Sequence, residues 1–191
     1  MTDLLKLLSK FENVNNQEND VAYYRTHVPW EAPLAYLNII YKPADPTTLE
    51  SVSDEMRIPK PWKEFLATTN GAVLFSSYLY VFGVVDPRQL LDRSDPFRLP
   101  PMNLEKLSRG LTLDRQQYLQ IGSYGQDGSL VCLDRQRNTV AALHKGSKTA
   151  YASWPSSEEW LNLEVKRIAD LFDSRGKLLT DGDATLPSRK V

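Results

Sequence analysis

The reactive side chains in this 191-residue chain are few: two histidines, His27 and His144, and one thiol, Cys132. A Cys–His dyad needs the two groups within hydrogen-bond reach. Ser129 to Asp134 and Thr139 to His144 are strand-like runs, and Arg135 to Asn138 is a short turn between them. Pairing through that turn sets Cys132 opposite Ala141 and His144 opposite Ser129. At a rise of ~3.3 Å per residue, Cys132 and His144 then lie about 10 Å apart along the sheet, which works against a dyad. Cys132 also sits in the apolar run LVCL, where a small buried hydrophobe is the ordinary role.

Metal and phosphate chemistry find no better footing. The chain has no Cys-x-x-Cys, no His-Glu-x-x-His and no acidic calcium loop, so neither metal nor cofactor is expected. Asp127 and Asp134 bracket a strand, roughly 20 Å apart, too far to act on one bond as acid and base. Gly122, Gly125 and Gly128 recur at every third position, but a phosphate loop should open a helix and here a strand follows. Turn geometry is the expected use of these glycines. Asp86, Asp92 and Asp95 alternate with Arg88, Arg93 and Arg98, a pattern that reads as a solvated loop surface. The chain is therefore expected not to be an enzyme.

The framework that positions these residues follows from periodicity. Leu4, Leu5, Leu8 and Phe11 recur at helical spacing, and Asn13 to Asp20 is a polar connector. Leu34 to Tyr41 is rich in β-branched and aromatic residues and predicts a strand. Pro46 to Arg57 predicts a helix capped by Thr47 or Thr48. In Ile58 to Phe75 (IPKPWKEFLATTNGAVLF), two prolines suit a helix start, Trp62, Phe65 and Leu66 share a face, and Asn70-Gly71 ends the helix. Ala72–Phe75 and Leu79–Val85 predict strands around a Ser76-Ser77 turn. Between Asp86 and Gln120 only Asn103 to Arg109 reads as a helix. Ser156 to Glu159 forms a capping box, with Leu161, Val165, Ile168 and Phe172 as the stripe that follows. The expected class is α+β, a largely antiparallel sheet flanked by helices.

Composition restricts function further. Hydrophobic residues make up 41 % and charged residues 25 % of the chain, ordinary for a globular domain. A net charge of −1 gives no basic field for nucleic acid. No apolar run approaches the ~20 residues that cross a bilayer, and the charged start MTDLLKLLSKFEN is unlike a signal peptide. One cysteine fits a reducing compartment, so a cytoplasmic location is expected.

The ordered motifs resemble a known family. They are Ile58-Pro59-x-x-Trp62-Lys63-Glu64-Phe65-Leu66 with Asn70-Gly71, then Ile121-Gly122 with Gly125-x-Asp127-Gly128, Leu130 to Asp134, Val140 and His144, and finally SWPSSEEWL from Ser153 to Leu161. In order and type they resemble the SUKH superfamily, over about Pro46 to Phe172. The resemblance implies an α+β domain without catalytic residues that works by binding another protein. Most bacterial members resemble immunity proteins that neutralise a cognate toxin; eukaryotic members resemble regulatory or adaptor modules in cell-wall synthesis. The expected division is an N-terminal extension at 1–45 (short helix, polar loop, one strand), a SUKH-like domain at 46–173, and a disordered tail at 174–191. No binding residue transfers by motif. Candidate partner-binding residues are therefore taken from aromatic and acidic groups assigned to loops: Trp30, Asp95, Tyr124, Asp127 and Trp154. Trp62 and Trp160, in helical stripes, are expected in the core.

Overall fold

The computed structural model describes residues 3–12, 15–30, 35–86 and 98–187. The elements run α1 (Leu4–Leu7), β1 (Gln17–Glu18), β2 (Ala22–His27), β3 (Tyr36–Tyr41), α2 (Pro46–Met56), α3 (Lys60–Leu66), β4 (Ala72–Leu74), β5 (Leu79–Val81), α4 (Leu104–Arg109), β6 (Tyr118–Tyr124), β7 (Leu130–Asp134), β8 (Val140–Leu143), β9 (Ala150–Trp154) and α5 (Ser157–Ala169). Among the described residues, nine strands form one sheet whose spatial order is the chain order. Each neighbouring pair is antiparallel. This is the α+β arrangement of sheet and flanking helices that the sequence implies.

Local chemistry explains where the helices start and stop. α2 begins on Pro46 with Asp45 as its cap, the carboxylate accepting the Thr48 amide at 2.8 Å. The cap is thus two residues earlier than Thr47, because Pro46 at the first helical position needs no amide partner. α3 opens behind Pro59 and carries Pro61 inside its first turn. Trp62 stacks on Phe65, centroids 4.7 Å apart, and both are buried with Leu66. The helix is over by Ala67, before Asn70-Gly71. Those two residues instead lock the chain into the sheet. Asn70 donates its amide to the Val84 carbonyl and accepts the Val84 amide, both at 2.8 Å. Gly71 takes φ +84°, and a β-carbon there would lie 2.5 Å from the Val81 carbonyl oxygen.

The principal core lies between one face of the sheet and the helices. Trp62, Trp160, Phe75, Phe82 and Tyr124 are its largest fully buried members. Residues of β2 and β3 (Ala22, Tyr24, Ile39 and Tyr41) pack together on the other face, so β3 is buried on both sides. A third cluster sets Cys132 and Leu143 beneath Leu111. Between β4 and β5, Phe75, Ser76 and Ser77 all have positive φ, of 56°, 52° and 77°. Left-handed backbone at three successive residues with a β-carbon is costly. It is held by the buried Phe75 ring, stacked on Phe172 at 5.5 Å, by Asn38 accepting the Phe75 amide, and by Leu37 accepting the Ser76 amide.

Both ends of the chain differ from expectation. The 1–45 segment contributes β1, β2 and β3 to the continuous sheet, three strands instead of one, and β3 pairs directly with β4. Phe11 packs on Phe75 across the core. The expected disordered tail is, through residue 187, a defined path. Gly176 lies against Val28 and Leu37, Leu179 donates its amide to the Leu171 carbonyl, and Gly182–Thr185 forms a 3-10 turn with Thr185 fully buried. A polar segment with little apolar surface can still be fixed when its backbone groups find buried partners, and here they do. The expected loop around Trp154 is in fact strand β9, Ala150–Trp154.

Candidate functional site

One end of the sheet gathers the polar residues that the turns deliver. The β6–β7 turn brings in Asp127, the start of β7 brings in Ser129, and His144 follows β8, directly across from Ser129 as the hairpin register requires. Tyr151 of β9 completes the group by stacking flat on the His144 ring, centroids 4.3 Å apart and planes within 13°. The Asp127 carboxylate accepts the Ser129 hydroxyl at 2.6 Å and the Ser129 amide at 2.8 Å. His144 Nδ1 lies 3.3 Å from both Asp127 Oδ2 and Ser129 Oγ. Burial alone would raise the Asp127 pKa, but the two Ser129 bonds and the His144 ring outweigh it and hold the carboxylate below its ordinary value.

These are the residue types of a hydrolytic triad, and the geometry is not that of one. A triad needs the carboxylate on one ring nitrogen and the serine on the other, so that a proton can pass from the hydroxyl into the ring. Here both contact the same nitrogen, and the hydroxyl is already given to Asp127. Ser129 is also fully buried. The arrangement is a closed hydrogen-bond knot with one aromatic wall, its outer rim formed by His144 with about half of its side chain exposed.

Behind it sits a second network that ties α5 and the tail to β6. Tyr124 donates its hydroxyl to Glu164 Oε2 at 2.8 Å, and the Trp160 indole N–H points at that hydroxyl from 3.4 Å. Burial first, then the Glu164 charge, push the Tyr124 pKa up. Glu164 is buried and gripped by Arg167 from one turn on, with Nη2 to Oε2 at 2.7 Å and Nε to Oε1 at 3.1 Å. Arg167 also donates to the Ala184 carbonyl at 2.8 Å and the Thr185 carbonyl at 2.6 Å. Gln126 donates to Asp183 from the other side at 2.9 Å. The tail is thereby bolted over the β6–β7 turn.

The five candidates separate accordingly. Trp30 lies in the turn after β2 and is 59 % exposed, in the kind of setting the sequence suggested. Asp127 is in the turn and partly exposed, committed to Ser129 and His144. Tyr124 and Trp154 are interior: Tyr124 is fully buried in β6, and Trp154 is in β9 opposite Val140 and joins the core. Neither offers surface to a partner, because each is a strand residue whose side chain is buried. Asp95 lies outside the described residues. The glycine expectation also changes. Gly128 has the positive φ of a turn, whereas Gly122 is within β6, where a β-carbon would meet the Tyr80 carbonyl oxygen at 2.5 Å and the Trp160 ring at 3.1 Å.

Cys132 pairs with Ala141 in the β7–β8 ladder, as the turn implies, and its thiol is buried. Burial pushes its pKa up to about 12, so it carries almost no thiolate at neutral pH. Among the described residues no group of three or more His, Cys, Asp or Glu stands close enough to hold a metal ion. No described helix is long and apolar enough to cross a membrane. Sequence reasoning missed Tyr151, Glu164 and Arg167. The Glu164–Arg167 pair has a legible i, i+3 spacing, but nothing in the sequence links it to Tyr124 or to the tail. In comparison with known proteins, no family model and no curated protein matches the chain.

Proposed function

We propose that this chain is a non-catalytic, cytoplasmic protein-binding domain of SUKH type, acting as an immunity protein that occludes a cognate toxin domain. The observation that carries the reading is Trp30. It is the one aromatic among the strongly exposed large apolar side chains of the described residues, and it lies in a turn beside the sheet. A rigid indole on a loop offers a large contact area at small entropic cost, which is why tryptophan is enriched among residues that dominate binding energy. The groups that could instead do chemistry are engaged elsewhere: Cys132 by burial, Ser129 and Asp127 by each other. The order of the motifs from Ile58 to Leu161 supports the family reading, with specificity left to loops.

The test is co-expression with the toxin encoded beside the chain's own gene, followed by titration of the purified pair. Rescue of growth and a stable complex are expected. Trp30→Ala should weaken that complex by about 2 kcal/mol, roughly thirtyfold in Kd. Absence of rescue together with absence of binding refutes the immunity reading. Capture of a cell-wall-synthesis protein in place of a toxin would replace it with a regulatory-module role.

A further inference from the structure

A basic pocket stands at the Arg135 end of β7, the opposite end from Ser129. The end of α2, the end of α4, the segment leading into β6 and the β7–β8 turn flank an open cleft of about 250 Å³. At roughly 30 Å³ per water in the liquid, that is room for several waters or for one tetrahedral anion with the atom that bears it. Four arginines line it, Arg57, Arg109, Arg115 and Arg135, against a single glutamate, Glu55. They come from four separate segments, so the clustering is a property of the fold and not of a charged run.

The charges are not mutually neutralised. Arg109 takes Glu55, and Glu105 besides at 2.7 Å. That leaves Arg57, Arg115 and Arg135 with no ion pair among the described residues. Arg135 is the fixed member. Its Nε donates to the Met56 carbonyl at 3.0 Å, and its Nη1 donates to the carbonyls of Arg115, at 2.6 Å, and of Tyr118. Those bonds occupy Nε and Nη1, and the two N–H groups of Nη2 donate to nothing among the described residues. Burial, then the nearby Arg57 charge, lower the Arg135 pKa, the sign of cations crowded into a partly desolvated place, and the Asp114 carboxylate opposes that shift without reversing it. Arg57 itself ends α2 in the left-handed region at φ 50°, a position where glycine is favoured. An arginine there holds its charge at the rim of the pocket at a backbone cost.

We propose that this pocket binds a phosphoryl group, presented as a phosphate monoester. Arg135 Nη2 can donate to one phosphoryl oxygen, the guanidinium planes of Arg57 and Arg115 can add forked contacts, and all of these bonds are charge-assisted. A dianion also relieves the repulsion among Arg57, Arg115 and Arg135. The pre-fixed Arg135 supplies geometry, and the two exposed arginines close over the anion from either side. The phosphoryl group could arrive on a small phosphorylated molecule or on a phosphorylated side chain. This proposal is independent of the partner-binding reading above.

Arg135→Ala would also unstitch three backbone segments, so the test uses Arg57→Gln/Arg115→Gln, with Arg175→Gln as a remote control and thermal unfolding as a check of the fold. Calorimetric titration at physiological salt is run with inorganic phosphate, adenosine monophosphate, and a phosphoserine peptide beside its unphosphorylated twin. Saturable binding of at least one phosphate-bearing probe, weakened about tenfold or more in the double variant and unchanged in Arg175→Gln, is the expected result. The tightest probe names the source. If no phosphate-bearing probe binds saturably, or the double variant binds as the wild type does, the proposal is overturned.

Discussion

Truncating Arg167 tests the network behind the sheet end most directly. Arg167→Ala removes a two-pronged grip on Glu164 and two bonds to the Ala184 and Thr185 carbonyls. Glu164 would keep the Tyr124 hydroxyl alone, inside a site where it is almost fully buried. Removing one partner of a buried ion pair costs about 3–5 kcal/mol, because the remaining charge is left uncompensated. Arg167 keeps 29 % of its side chain in solvent, so water can enter the gap, and we set the loss at about 2–3 kcal/mol. For a domain of this size, that lowers Tm by about 4–12 °C. Urea and thermal unfolding would measure it. Hydrogen exchange at the Ala184 and Leu186 amides, now donated to Asp181 and Asp183, should accelerate as the tail lifts. The double variant Glu164→Gln/Arg167→Ala should lose less than the sum of the singles by about 1 kcal/mol or more. A loss below about 0.5 kcal/mol, within the range of ordinary surface changes, or strict additivity in the cycle, would refute the assignment of this pair as a buried clamp.

Acid stability and thiol reactivity provide two more checks. Asp127 has a folded-state pKa below the unfolded value, so its contribution is complete above about pH 4 and is lost as pH falls through the lower folded pKa, where the native state must take up a proton. Asp134 behaves likewise: burial opposes the shift, and the Arg137 amide, the Gln117 side chain and the Gln136 amide outweigh it. Asp127→Asn should therefore flatten the fall of unfolding free energy below about pH 4, and an unchanged acid limb would contradict the Ser129–His144 hydrogen bonding. Cys132 should resist a thiol-specific disulfide reagent in the native state and react at the rate of unfolding, since it is buried with its pKa near 12; fast labelling of the folded protein would show that strands β7 and β8 open locally.

How much of this was readable beforehand depends on the kind of signal. The start and buried face of α5 are legible: the Ser156 cap accepts the Glu159 amide at 3.1 Å, and Leu161, Val165 and Ile168 are buried as their spacing requires, whereas Phe172 lies beyond the end of the helix at Ala169. The β7–β8 hairpin was legible to the register, because a short turn fixes which residues face each other, and that placed Ser129 beside His144. Strands β2, β6 and β9 were not. β2 (AYYRTH) sets paired tyrosines where alternation would be clean, β6 (YLQIGSY) is broken by Gln120 and Gly122, and β9 (AYASW) is diluted by small residues. Each is a strand because its neighbours supply a ladder, and a ladder is a tertiary fact that overrides weak local preference. Trp154 therefore reads as a loop aromatic from the sequence and is a strand residue in the fold. The arginine pocket was beyond reach for a related reason. Arg57 and Arg135 are far apart in sequence, and only the packing of α2 against the β7–β8 turn brings them together.

The strictly sequential order of the nine strands has a bearing on how the molecule is made. Since every strand docks on the one synthesised just before it, the sheet can lengthen edgewise as the chain emerges, each hairpin closing over a short span. The contacts that must wait are those joining opposite extremities: Lys10 reaching the Ala169 carbonyl, Glu12 meeting Ser174, Phe75 receiving Phe172. α5 and the residues after it are therefore the closing pieces. A ribosome-stalled chain ending before Ser157 would hold a zipped but uncovered sheet, with the Trp62 side of its core open to water and in need of shelter until the final helix arrives.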